Sequence, residues 1–170
     1  MSITMHSASA PVFLQMFRSM LAWLDKAEAH AEAKKFDPSV YLTMRLAPDM
    51  LAFPRQIQIA SDSAKGCIAR LAGIEAPRFE DTEATFAELR ERITKTMAFI
   101  ESVPASAVDG SEDRPIELPM RNRDPLKFSG EGYLKHFALP NFMFHATTAY
   151  ALLRHAGVPL GKTDFLGGGR

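Results

Sequence analysis

Asn141 and His145 stand four residues apart in LPNFMFHATTAYALLRHAG, a segment that is otherwise almost wholly apolar. At roughly 100° per residue of an α-helix, Asn141, His145, Thr148 and Leu152 fall on one narrow line. Phe142, Met143, Phe144, Ala146, Ala149, Tyr150, Ala151 and Leu153 cover the remaining surface. A helix that is hydrophobic on all sides is buried. Its few polar groups must then be paired or be functional. An imidazole and an amide at this spacing can meet one metal ion from one helix. The same two side chains can also be purely structural. The histidine would then donate to a carbonyl or side chain, and the asparagine, in the first turn, would satisfy a free helix end. Spacing alone leaves both readings open.

A second polar group comes from an earlier helix. Gln58, Asp62 and Lys65 share a face beside an apolar stripe. One reading is a solvated flank with a local Asp62–Lys65 pair of little energetic weight. The functional reading has Gln58 and Asp62 facing across a bundle toward His145, because bundle cores hold metal sites built from facing helices. A carboxylate, an amide oxygen and an imidazole make a hard, incomplete ligand set. That set suits a weakly held divalent ion with open water positions better than a structural zinc. The candidate metal ligands are therefore His145, Asn141, Gln58 and Asp62. The candidate catalytic pair is His145, as ligand or general base, and Asp62, which would orient it or bind the ion.

Other chemistry-bearing residues have simpler readings. His155 lies in a last helical turn beside Arg154, where positive charge complements the helix dipole. His136 precedes Pro140 by four residues, outside the regular helix, and His6 and His30 read as surface residues. Cys67 is the single cysteine. It cannot form an intramolecular disulfide or a cysteine-rich metal cluster, and its apolar neighbours make it a small core residue rather than a nucleophile. There is no strained nucleophile elbow. The terminal GGGR has neither the lysine nor the following helix of a phosphate loop and reads as a flexible tail.

These residues need helices to position them. The first opens at Ser9 or Ala10 with Pro11 in its first turn, where a missing N–H is harmless. Phe13, Met16, Phe17, Met20, Leu24, Ala27 and Ala31 then recur at helical spacing. Asp37–Pro38 caps a short helix through Leu42. The second long helix is predicted from Pro48, with Met50, Phe53, Ile57, Ala60, Ala64, Ile68 and Leu71 as its buried stripe. Pro54 would kink it, and Gly73 would end it in a left-handed cap. The third starts near Asp81 or Thr82 and runs on Phe86, Leu89, Ile93, Met97 and Ile100 to Pro104. The fourth starts at Pro140 and closes at Gly157. Between them, PIELPM and LKFSG alternate like a short β-hairpin turned by RNRDP. The apolar Phe165 and Leu166 predict a tail that folds back on the bundle. The simplest architecture is an all-α, up-and-down four-helix bundle in one domain, residues 1–170, with a long connection before the last helix.

Composition narrows the function classes. The chain has 170 residues, 46% hydrophobic and 24% charged, as expected of a globular domain. Twenty basic residues balance twenty acidic ones, so nothing favours nucleic acid or an anionic membrane surface. No apolar run approaches the roughly 20 residues of a membrane span, and MSITMHSASAPVF lacks the basic start and long apolar core of a secretory signal. The expected setting is the cytoplasm.

RLAPDM, QIQIASDSAKGCIARLAG, EDTEATFAELRERI and LPNFMFHATTAYALLRHAGVPLGKTDFLG together resemble a bacterial family of uncharacterised proteins in the DinB/YfiT-like superfamily of metalloenzymes. The resemblance spans nearly the whole chain. It implies a four-helix bundle, a homodimer, and a divalent metal (nickel, zinc, manganese or iron) held by one histidine from helix two and two from helix four. It also implies hydrolysis of, or thiol-dependent transfer to, a small molecule. This sequence departs from that pattern. His145 matches one helix-four histidine, but Asn141 replaces its partner and helix two offers Gln58 or Asp62 in place of histidine. The expectation is a degenerate or altered metal site. The alternative is a non-enzymatic protein that keeps the bundle for a small ligand or for dimerisation.

Overall fold

The computed structural model describes residues 2–120 and 122–168. Four long helices carry the fold: α1 (Ala10–Lys34), α2 (Phe53–Ala72), α3 (Phe86–Ser102) and α6 (Leu139–His155). Short pieces join them. A 3-10 turn (Pro38–Thr43) follows α1, and α4 (Ala105–Val108) follows α3. A β1–β2 hairpin (Pro115–Met120 and Arg123–Ser129) then leads into α5 (Gly130–Tyr133), a π-helical turn (Leu134–Ala138) and α6. The tail carries α7 (Lys162–Phe165). α2 packs against α6 and α3, and α1 packs against α3 and α6. The order around the bundle is thus α1, α3, α2, α6.

The core is aromatic where α1 meets α6. Phe13 and Phe17 both set their rings edge-on to Phe142, with centroids 4.8 and 5.2 Å apart. That is the geometry the aromatic quadrupole favours. Phe142 is fully buried, and truncating such a ring costs about 3–5 kcal/mol. The expected stripe of α2 is buried from Phe53 and Ile57 to Ile68 and Leu71, whereas Met50 precedes the helix and is only half-buried. Gly73 ends it at φ 71°, and the following Ile74 amide bonds back to the Ala69 carbonyl.

Three boundaries differ from the sequence expectation. α2 begins at Phe53, not Pro48. Pro54 therefore occupies its first turn, where a proline fits, and introduces no kink. α3 begins at Phe86, because Thr85 and Glu88 form a reciprocal capping box. Asp81 is left free to pair with arginines. The last helix is entered ten residues earlier than Pro140, at Gly130. The π turn falls just before Pro140, whose missing N–H and bulky ring disturb the regular ladder. The Leu139 amide there reaches five residues back to the Leu134 carbonyl.

The hairpin is present, with Ile116 opposite Phe128 and Leu118 opposite Leu126. Its register slips between Leu118 and Met120, at Pro119, which cannot donate to the ladder. Met120 pairs with Arg123, so the turn is tighter than the RNRDP segment predicts; Arg121 lies outside the described residues. The tail does fold back. Phe165 stacks on Trp23, while Leu166 stays 66% exposed. The last two residues of GGGR lie outside the described residues. Among the described residues, no helix is long and apolar enough to cross a membrane.

Candidate functional site around His145

His145 lies where α6 crosses the first turns of α2. Its Nδ1 is 2.7 Å from Oε1 of Gln56, and Nε2 of Gln56 donates to the Leu51 carbonyl at 2.9 Å. A carbonyl only accepts, so the amide nitrogen must face Leu51 and the amide oxygen must face the ring. His145 Nδ1 therefore carries the proton. Gln56 is 1% exposed and His145 9%. Burial, reinforced by the positive charge of Arg55, holds the imidazole below the ordinary histidine pKa. At neutral pH the ring is uncharged, with its lone pair on Nε2. Among the described residues, Ser111 Oγ is the side-chain polar atom sealed from solvent with no partner. Nε2 of His145 makes no hydrogen bond among the described residues, yet it is not fully sealed from solvent. The Phe144 ring stands edge-on to the imidazole, with centroids 5.1 Å apart, and is 57% exposed. α6 is thus not apolar-and-buried on every side.

Asn141 has a different partner. Its Nδ2 donates to Ser63 Oγ at 2.6 Å, two turns further along α2 than Gln56. Gln58 and Asp62 do not look toward His145. Gln58 Oε1 accepts from Arg55 at 2.6 Å, and its Nε2 donates to Glu83 at 2.7 Å. Asp62 Oδ1 accepts from Lys65 at 2.5 Å and from Arg92 at 2.8 Å. Arg92, from α3, is the hub. Its guanidinium is 1% exposed and also bonds Ser61 Oγ, the Glu80 and Gln58 carbonyls, Asp81 and Glu83. The four expected ligands thus divide: Gln58 and Asp62 on α2 join the Arg92 network from α3, while Asn141 and His145 on α6 bond other residues of α2.

This donor set does not fit a three-ligand metal centre. Asn141 is held through its amide nitrogen on Ser63, two cations hold the Asp62 carboxylate, and Gln58 is bonded at both ends. Among the described residues, no three His, Cys, Asp or Glu side chains gather to share an ion. Cys67 is fully buried, and burial pushes its thiol up to about 12, so it is inert at neutral pH. His30 is not a free surface residue, since its Nδ1 meets the Tyr41 hydroxyl at 2.7 Å.

Sequence reasoning missed Gln56, Ser63, Arg55 and Arg92. Two of them had a signal. Gln56 interrupts the apolar stripe between Phe53 and Ile57, and Arg92 sits between Leu89, Ile93 and Thr96 on the inward line of α3. A polar residue on a buried line must have a built-in partner.

Comparison with known proteins agrees with this architecture. The sequence profile of a family described as a domain of unknown function, DUF1993, matches residues 5–166. A crystal structure of a DinB family member from Shewanella denitrificans is similar at 39% identity and a TM-score of 0.87, over 96% of this chain and 92% of that one. No curated protein matches. The match over nearly the whole chain, together with the DinB-like bundle, places this protein in the DUF1993 family.

Proposed function

We propose that this chain works on a small protic molecule through one histidine, not through a metal triad. The carrying observation is the Leu51–Gln56–His145 relay, which fixes the Nδ1–H tautomer and leaves Nε2 as an unengaged base. A neutral imidazole so held can accept a hydrogen bond, or take the proton from a water or thiol as it attacks. Those are the nucleophiles of the hydrolytic and thiol-transfer reactions that the family resemblance implies. Phe144 supplies an apolar wall for such a molecule. Asp62 sits in the Arg92 network and supports the scaffold on this reading. The homodimer implied by the same resemblance belongs to the proposal and is checked by light scattering.

The test is nitrogen-detected NMR of the histidine side chains. His145 should show a protonated Nδ1 and a free Nε2, and Nε2 should shift saturably with a weakly acidic thiol or phenol. A ring protonated on Nε2 instead would sink the proposal. Stoichiometric binding of nickel or zinc, abolished by His145→Ala, would return the altered metal site.

A further inference from the structure

A separate cavity of about 260 Å³ lies between α2, the hairpin bulge and the α5–π turn. Its polar wall is Asp62, Ser63, Arg70 and Tyr133; its apolar wall is Leu118, Pro119, Met120 and Phe137. Arg70 is the unusual member. Its Nη1 donates to the Tyr133 hydroxyl at 3.2 Å, and its guanidinium lies 5.8 Å from the centre of that ring. Among the described residues it has no carboxylate partner, in contrast to Arg55, Arg90 and Arg92. A guanidinium has five N–H donors, so most of those of Arg70 remain to be used. The Tyr133 hydroxyl accepts from Arg70 and keeps its own proton to donate. Ser63 Oγ accepts from Asn141 and likewise keeps its proton. Gly66 makes this possible: a Cβ there would lie 2.6 Å from Arg70 Nη1, so the missing side chain lets the guanidinium fold back along α2.

We propose that this cavity binds a small molecule bearing an oxyanion on an apolar body. Arg70, Tyr133 and Ser63 would meet the oxyanion, while Leu118, Met120 and Phe137 would cover the rest. Asp62 does not oppose this, because Lys65 and Arg92 already neutralise its carboxylate. Arg70 favours planar two-point contact with a carboxylate or phosphate.

Calorimetric titration of the full chain with hexanoate, hexanol and inorganic phosphate tests the site. Hexanoate should bind saturably, and hexanol, which lacks the charge, should not. Arg70→Met should weaken hexanoate at least about tenfold, the usual worth of a charged hydrogen bond. Gly66→Ala is the second variant. It improves helix propensity, so it should hold or raise the melting temperature while displacing Arg70 and weakening hexanoate severalfold. Phosphate bound as tightly as hexanoate would remove the apolar half of the proposal. No saturable hexanoate binding by the wild-type chain, or equal binding by Arg70→Met or Gly66→Ala, overturns it.

Discussion

The His145–Gln56 hydrogen bond can be measured by removing each end and then both. In His145→Leu, Gln56 Oε1 stays buried at 1% exposure with no donor. In Gln56→Leu, the Nδ1–H of His145 loses its acceptor, and the Leu51 carbonyl loses the Gln56 amide as well. Each single change should therefore cost about 1–3 kcal/mol, the penalty of an orphaned buried polar group. The Leu51 carbonyl belongs to a residue 44% exposed and can regain water, so the two single variants should cost about the same. Replacing both ends with leucine removes the ring and the amide together and leaves only the Leu51 carbonyl unpaired. The double variant should then be more stable than the sum of the singles predicts, by about 1–2 kcal/mol. Urea unfolding of the four proteins gives these values directly. A loss of about 1–3 kcal/mol corresponds to about 2–12 °C in melting temperature for a chain of this length. Additivity within about 0.5 kcal/mol would refute the relay, and with it the assigned tautomer.

Three further outcomes follow from other parts of the structure. Arg92→Met should cost about 3 kcal/mol, at the low end for a broken buried ion network, because Asp62 and Asp81 are 43% and 35% exposed and regain water while Glu83 at 11% does not; Glu83→Gln in the same chain should restore part of the loss in chemical denaturation. Stability should fall as pH drops below the ordinary histidine value: His145 has a depressed folded pKa, so the unfolded chain takes up the proton first, and the loss levels off once the folded ring is protonated too. The His145→Leu chain should lack that part of the slope when melting is followed against pH. Gly130→Ala should destabilise sharply, since a Cβ there would lie 1.9 Å from the Ser111 carbonyl, a backbone atom that cannot swing aside; an unchanged melting temperature would show that the 111–112 strand-entry loop yields easily.

The bundle was legible in the sequence because apolar periodicity reports directly on burial. The stripes of α1 and α2 lie inside almost residue for residue. Boundaries were harder. Pro48 and Pro54 each satisfy the rule for a first-turn proline, and only the chain path from the 3-10 turn decides for Pro54. Thr85 was overlooked because Asp81 and Thr82 are equally good caps in isolation, yet only Thr85 has a glutamate three residues on that faces its amide. At the site, the wheel correctly placed Asn141 and His145 on one line but could not say what each line faces. Helix-to-helix register decides that. It sets Gln56, not Gln58, against His145, it turns the Gln58 side chain to Arg55 and Glu83, and it lets Arg92 arrive from α3 to claim Asp62. The cavity beside Arg70 depends on a hairpin folding over α2, a long-range event that leaves no periodic trace.

The way the tail docks gives the chain an internal reporter. Trp23 is the sole tryptophan. Its indole N–H donates to the Asp164 carbonyl at 3.1 Å, and its ring stacks on Phe165 with Tyr150 edge-on. Lys26 pins the same segment through Asp164 at 2.7 Å. Emission from a single indole therefore reads the environment of α7 specifically. Detachment of the tail would hydrate that indole and shift its fluorescence to the red while the rest of the bundle stayed folded. Fluorescence and circular dichroism should then separate release of the C-terminal segment from global unfolding in one titration.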